Sequence, residues 1–179
     1  MNSRERLELA LNHQEPDRVP LDLGASATTG MHVSSVYKLR QALHLDEPGT
    51  PVKVIEPYQM LGEVDEQLQE AMGADVIGLS PSSDMFGNRF ENWKEYRTLW
   101  GQTVLVPGSF TVKMDENGDT VLFPQGDDSV PPSAKMPKAA YFFDAIIRQE
   151  PRTKETAQAT LPLFQEARRL FQSASGYAQ

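Results

Sequence analysis

The spacing of apolar and polar positions changes along the chain, and each change marks an element. Asn2 stands where a helix cap belongs, Glu5 follows three residues on, and Leu7, Ala10 and Leu11 share a stripe. That pattern predicts a short N-terminal helix, ended by Gln14-Glu15-Pro16-Asp17. Between Arg18 and Gly24 the period drops to two, with Val19, Leu21 and Leu23 on one face and Asp22 on the other, which predicts a strand. A polar loop, Ala25 to Val33, leads into a second helix on which Val36, Leu39, Ala42 and Leu43 recur until Asp46 to Pro48. Val52 to Ile55 reads as a short extended piece between two prolines. Leu61, Val64, Leu68 and Met72 then predict a third helix from about Gly62 to Met72, with Gly73 as its terminator. The run Ala74 to Leu79 reads as a mostly buried strand.

Beyond Trp93 the pattern becomes antiparallel. Phe110 to Met114 and Thr120 to Phe123 flank Asp115-Glu116-Asn117-Gly118-Asp119, whose Asn-Gly pair signals a hairpin. The Pro-rich piece Pro124 to Pro137 is expected as an ordered loop crossing a surface, followed by an apolar patch of Phe142, Phe143, Ile146 and Ile147. Thr153 to Ser173 predicts a last helix with Leu163, Ala167, Leu170 and Phe171 on one face, or one that starts nearer Ala159 if Pro162 sits in its first turn. Gly176 would end it, and Tyr177-Ala178-Gln179 resembles the start of a strand. The order strand, helix, helix, strand is how parallel sheets are threaded. Two such strands cannot bury both faces of a sheet alone, so the apolar surface left over is expected to be covered by something else, self-association included.

Composition narrows the function classes. A chain of 179 residues with 39% apolar side chains can bury one core. Its 17 basic and 25 acidic residues leave a net charge of -8, which argues against nucleic acid as a partner, because phosphate neutralisation needs the opposite balance. The absence of cysteine excludes disulfides, catalytic thiols and thiolate metal sites in this chain. Met1 to Gln14 lacks the apolar core of a signal peptide, and no apolar run is long enough to span a bilayer. A cytoplasmic protein with no membrane partner is the expectation.

The opening Ser3-Arg4-Glu5-Arg6, the junction Leu11-Asn12-His13-Gln14-Glu15-Pro16-Asp17-Arg18-Val19-Pro20 and the Gly73-Ala74-Asp75 entry resemble the start of uroporphyrinogen decarboxylase-like proteins. Trp100-Gly101, the Asp115 to Asp119 turn and Glu166-Ala167-Arg168-Arg169-Leu170 add to the likeness. The resemblance implies an α/β fold: the N-terminal half of a (β/α)8 barrel, with a hairpin inserted at about 93–137 and truncation near the third barrel strand. It also implies decarboxylation of a porphyrinogen, or methyl transfer to or from a corrinoid or a thiol. Decarboxylases of the family carry an Arg-Gln-Ala-Gly-Arg run after the first strand, and guanidinium pairs suit substrate carboxylates. Here that place reads Asp22-Leu23-Gly24-Ala25-Ser26-Ala27, with no arginine before Arg40, so the methyltransferase-like branch is favoured. The zinc of that branch, held by a histidine and two cysteines, and the corrinoid partner belong to the complete family member rather than to this chain.

On that reading Asp22, Ser26, Ser80 and Asp84 are candidate substrate-binding residues at the barrel mouth, and the catalytic residues are unassigned. Each has a plainer alternative. Asp22 can equally anchor the glycine turn, and Ser80-Pro81-Ser82-Ser83-Asp84 is ordinary turn composition. His13, His32 and His44 lack ligand spacing and read as surface or turn histidines, while Glu63, Asp65, Glu66 and Glu70 read as the solvated side of the third helix. No phosphate loop, dinucleotide fingerprint or nucleophile elbow occurs. The competing function is a binding or scaffold module without catalysis.

Overall fold

The computed structural model describes residues 1–147, together with Pro162 and Gln165. The chain divides into two units, Met1–Ile146 and Ile147–Gln179. The predicted helix over Thr153 to Ser173 and the strand start at Tyr177 lie outside the described residues, apart from Pro162 and Gln165, which are helical.

In the first unit α1 (Ser3–Leu11) opens with a reciprocal cap: the Asn2 side chain accepts from the Glu5 amide at 2.9 Å and the Glu5 carboxylate accepts from the Asn2 amide at 3.0 Å. The predicted apolar stripe is not the face it buries. Arg6 is buried and Leu11 is 77% exposed, because α1 is held by ion pairs rather than by packing. α2 (Val33–Ala42) buries Val33, Val36 and Arg40, and its capping residue is His32. β1 (Val54–Glu56) pairs antiparallel with β2 (Leu61–Gly62). α3 (Glu66–Met72) starts later than the periodicity suggests, since Leu61 and Gly62 belong to β2 and the Asp65 carboxylate caps the helix by accepting from the Leu68 amide at 3.0 Å. Its end is as read: Gly73 takes the left-handed conformation at φ 68°.

β3 (Lys94–Arg97) and β4 (Thr103–Val106) form a second hairpin. β5 (Thr111–Met114) and β6 (Thr120–Phe123) pair around the Asp115 to Asp119 turn, whose Asp115 Oδ1 accepts from the amides of Asn117 and Asp119. A four-stranded antiparallel sheet is completed by β7 (Ala134–Met136) and β8 (Asp144–Ala145). The Pro-rich stretch expected as loop therefore contributes a strand. Its alternation of Ala134 and Met136 inward is too short to register against four prolines between residues 124 and 137. The core gathers Val33, Val36, Val54, Met60, Leu68, Val104, Val106, Phe110, Leu122, Met136 and Phe143. The patch read at 142–147 is split: Phe143 is in that core, while Phe142 and Ile147 are exposed.

The barrel expectation is overturned. The described residues of Met1–Ile146 form three α-helices, one 3-10 turn and small antiparallel sheets, and the named strands pair antiparallel throughout. Residues 18–24 and 74–79, read as two parallel strands, are irregular. They meet through the pair Leu21 and Asp75, and Val19, Ile77 and Leu79 are 85%, 75% and 100% exposed. Period-two apolar spacing marks a strand only when a partner completes the ladder and a layer covers the apolar face; neither happens here.

Candidate functional site

Three segments converge on a cleft of about 430 Å³: the loop 24–30, the turn that links β1 to β2, and residues 79–85 with Phe90. The first is shaped by Asp22, whose Oδ1 accepts from the Ala25 amide at 3.1 Å and from Thr29 Oγ1 at 3.0 Å, while the Gly24 amide donates to the Thr29 carbonyl. Gly78 lets the third segment close on the first, since a Cβ there would lie 2.3 Å from the Ala25 carbonyl oxygen. The turn is built by Glu56. Its two carboxylate oxygens accept from the amides of Tyr58 at 2.9 Å and Gln59 at 2.8 Å, which leaves the carboxylate at the cleft wall.

Asp84 is held from several sides. Its Oδ1 accepts from the amides of Phe86 and Asn88, and its Oδ2 from the Asn88 side-chain nitrogen, each at 2.9 Å. Asn88 is fully buried, and its side-chain oxygen accepts from Ser109 Oγ at 3.0 Å. Neither Glu56 nor Asp84 forms an ion pair among the described residues, and no lysine, arginine or histidine is among the cleft-lining residues described. Burial pushes the Glu56 carboxyl above the ordinary range; the Tyr58 and Gln59 amides oppose this and the charge of Asp84 adds to it. Most of the remaining wall is apolar, with Ile55, Leu61, Leu79, Met85, Tyr58 and Phe90, and serines supply most of its other polar groups.

Of the residues singled out from the sequence, Ser26, Ser80 and Asp84 line this cleft, and Asp22 does not: it anchors the loop that lines it. Glu56 was missed, and no spacing rule flags it, because its role follows from a turn that only the β1–β2 pairing creates. Asp65 and Glu63 are also more than a solvated face. Asp65 caps α3 and pairs with Arg40, and Glu63 pairs with Lys53 at 3.1 Å.

The histidines separate. His13 and His44 sit at positive φ, 56° and 55°, in the turns that follow α1 and α2, as expected of turn histidines. His32 departs from that reading. Its Nδ1 accepts from the Ser34 amide at 3.2 Å, capping α2, and its ring lies 5.1 Å from that of Trp100, 5.9 Å from Tyr141 and 5.6 Å from Phe142. Nε2 is buried, and the main chain of Tyr141 lies near it without meeting hydrogen-bond geometry.

The zinc implied by the family resemblance does not fit the residues present. The chain has no cysteine, the described residues hold no cluster of three or more His, Cys, Asp or Glu able to take a metal, and His32 already spends Nδ1 on a helix cap. No helix among the described residues is long and apolar enough to cross a membrane. Compared with models of protein families, with curated proteins and with solved structures, the chain matches none.

Proposed function

We propose that the cleft is a small-molecule site and that the chain serves an enzyme of the methyl-transfer kind that its sequence resembles, rather than one that decarboxylates a porphyrinogen. The observation that carries this is the cleft wall: mostly apolar, two carboxylates, and no cationic residue among those described. A volume of about 430 Å³ is within the range of small-ligand pockets. A porphyrinogen brings several carboxylates, which need bidentate guanidinium partners; Glu56 and Asp84 would repel them. A compact ligand whose methyl groups pack on Leu61, Leu79, Met85 and Phe90 meets no such penalty. In this reading a corrinoid protein is the methyl-carrying partner, and zinc chemistry, where needed, comes from elsewhere than the residues described.

The test is saturation-transfer NMR on the full chain with a panel of methylated thiols, amines and aryl ethers beside a tetracarboxylic porphyrin. Binding by at least one methylated compound, lost in a Ser26→Trp variant that fills the cleft from an exposed position, is the expected result. Preference for the porphyrin, or binding that Ser26→Trp leaves unchanged, would overturn the reading.

A further inference from the structure

Two carboxylates beside a largely apolar cavity, with no cationic side chain among the described residues to balance them, carry an electrostatic cost. A desolvated charge costs several kcal/mol unless it is paired or richly hydrogen-bonded. Backbone amides meet part of that need: Glu56 takes two N–H groups, and Asp84 takes two N–H groups and an amide side chain. The charges themselves remain uncompensated. Most other acidic residues of buried or half-buried character have cations: Asp75 has Arg6 and Arg18, Asp46 has Arg40, and Asp115 and Asp119 share Lys135, while Asp22 is held by the Ala25 amide and the Thr29 hydroxyl inside its own loop. Among the described residues, Glu56 and Asp84 are thus the two carboxylates that line the cavity, and neither has a cationic side chain against it. Beside them stand the rings of Tyr58 and Phe90 and the thioether of Met85. Aromatic rings with a nearby carboxylate attract a soft, weakly hydrated cation more than a small hard one.

Resting on the reading of the cleft as a small-molecule site, we infer that its ligand is an organic ammonium ion, a methylated or quaternary amine, with its charge toward Glu56 and Asp84 and its methyl groups against Tyr58, Met85 and Phe90. A neutral methyl compound of the same shape would fill the same space but leave the two carboxylates unbalanced. The Glu56 carboxyl is raised first by burial and, to a smaller extent, by the charge of Asp84, so a cation placed between the two would lower it again. Ser26 and Ser80, at the rim, are placed to accept or donate to a polar tail on such a ligand.

The decisive comparison uses two probes of nearly equal shape, choline and 3,3-dimethylbutan-1-ol, which differ in the charge on the quaternary centre. Isothermal titration of the full chain is expected to show choline binding at least about tenfold more tightly, consistent with a cation over aromatic rings beside a carboxylate. The difference is expected to collapse in Glu56→Gln, with Asp84→Asn as a second variant and circular dichroism to check that each folds. Because the paired probes are compared on the unaltered protein first, a variant that fails to fold does not shield the proposal. Equal affinities, or tighter binding of the alcohol, would overturn the ammonium inference and leave the small-molecule reading standing. Binding of neither probe while neutral methylated compounds still bind would do the same. If no compound binds at all, both fall.

Discussion

The side chain of Asp75 and the main chain of Leu21 close a two-way bridge: the Asp75 amide donates to the Leu21 carbonyl at 2.7 Å, and the Leu21 amide donates to Asp75 Oδ2 at 2.9 Å. A carboxylate thus takes the place a strand carbonyl would hold. The same carboxylate accepts from Ser3 Oγ at 2.8 Å and pairs with Arg6 and Arg18, which ties α1 and both irregular segments to one buried point. These segments are joined by charge where the sequence pattern suggested a ladder.

Acid should dismantle this junction. The Leu21 amide first, then Ser3, Arg6 and Arg18, hold the Asp75 carboxyl down at about 2. Because the folded-state value lies below the ordinary one, the stabilisation is complete above about pH 4 and is lost as pH falls toward 2. Urea unfolding followed from pH 7 to pH 2 is expected to show a steep acid limb that Asp75→Asn makes shallower while lowering stability at neutral pH. An unchanged slope in the variant would contradict the assignment.

His32 titrates with the opposite ion. Burial lowers its pKa, so the unfolded chain takes the proton first and stability declines as pH drops below about 6.5. Protonation also converts Nδ1 from the acceptor that caps α2 into a donor facing the Ser34 amide. His32→Asn keeps a capping side chain and removes the titration, so its stability is expected to be flat between about pH 5 and 7, where the wild type declines. NMR titration of the histidine Cε1 protons gives an independent check.

Asn88 is expected to matter out of proportion to its size. It is fully buried, donates to Asp84 Oδ2 and accepts from Ser109 Oγ. Asn88→Ala strips both partners and is expected to destabilise by about 1–3 kcal/mol for each group left unsatisfied. Asn88→Asp is expected to be worse at neutral pH, because it sets a second carboxylate against Asp84, and to recover partly on acidification. Thermal unfolding of both variants at pH 5 and pH 7.5 separates the two effects.

Packing is tested by Leu68→Ala. Leu68 is fully buried on α3, and its truncation is expected to cost about 2–5 kcal/mol, while Leu79→Ala, at a fully exposed position, is expected to leave stability nearly unchanged. Loss of stability in Leu79→Ala as large as in Leu68→Ala would instead mark residues 74–79 as a buried strand.

Local chemistry was legible from the residues themselves. The Asn2 and Glu5 capping box, the Gly73 terminator and the Asp115 to Asp119 hairpin turn depend on groups within a few positions of one another, so short-range hydrogen bonding and backbone sterics determine them whatever surrounds them. The candidate site was legible in part for the same reason: Ser26, Ser80 and Asp84 are polar residues at turns that line the cleft, and Asp22 anchors the loop that carries Ser26. What the residues could not reveal alone is which elements meet. Residues 18–24 and 74–79 carry the alternation of strands, yet alternation records a preference for a covered face and not the presence of a cover. Glu56 entered the cleft only through the antiparallel return of β1 on β2, and His32 became a half-buried cap only because Trp100 and Tyr141 pack against it. Those are long-range contacts, decided by the packing of distant segments, and a linear pattern of apolar and polar positions does not encode them.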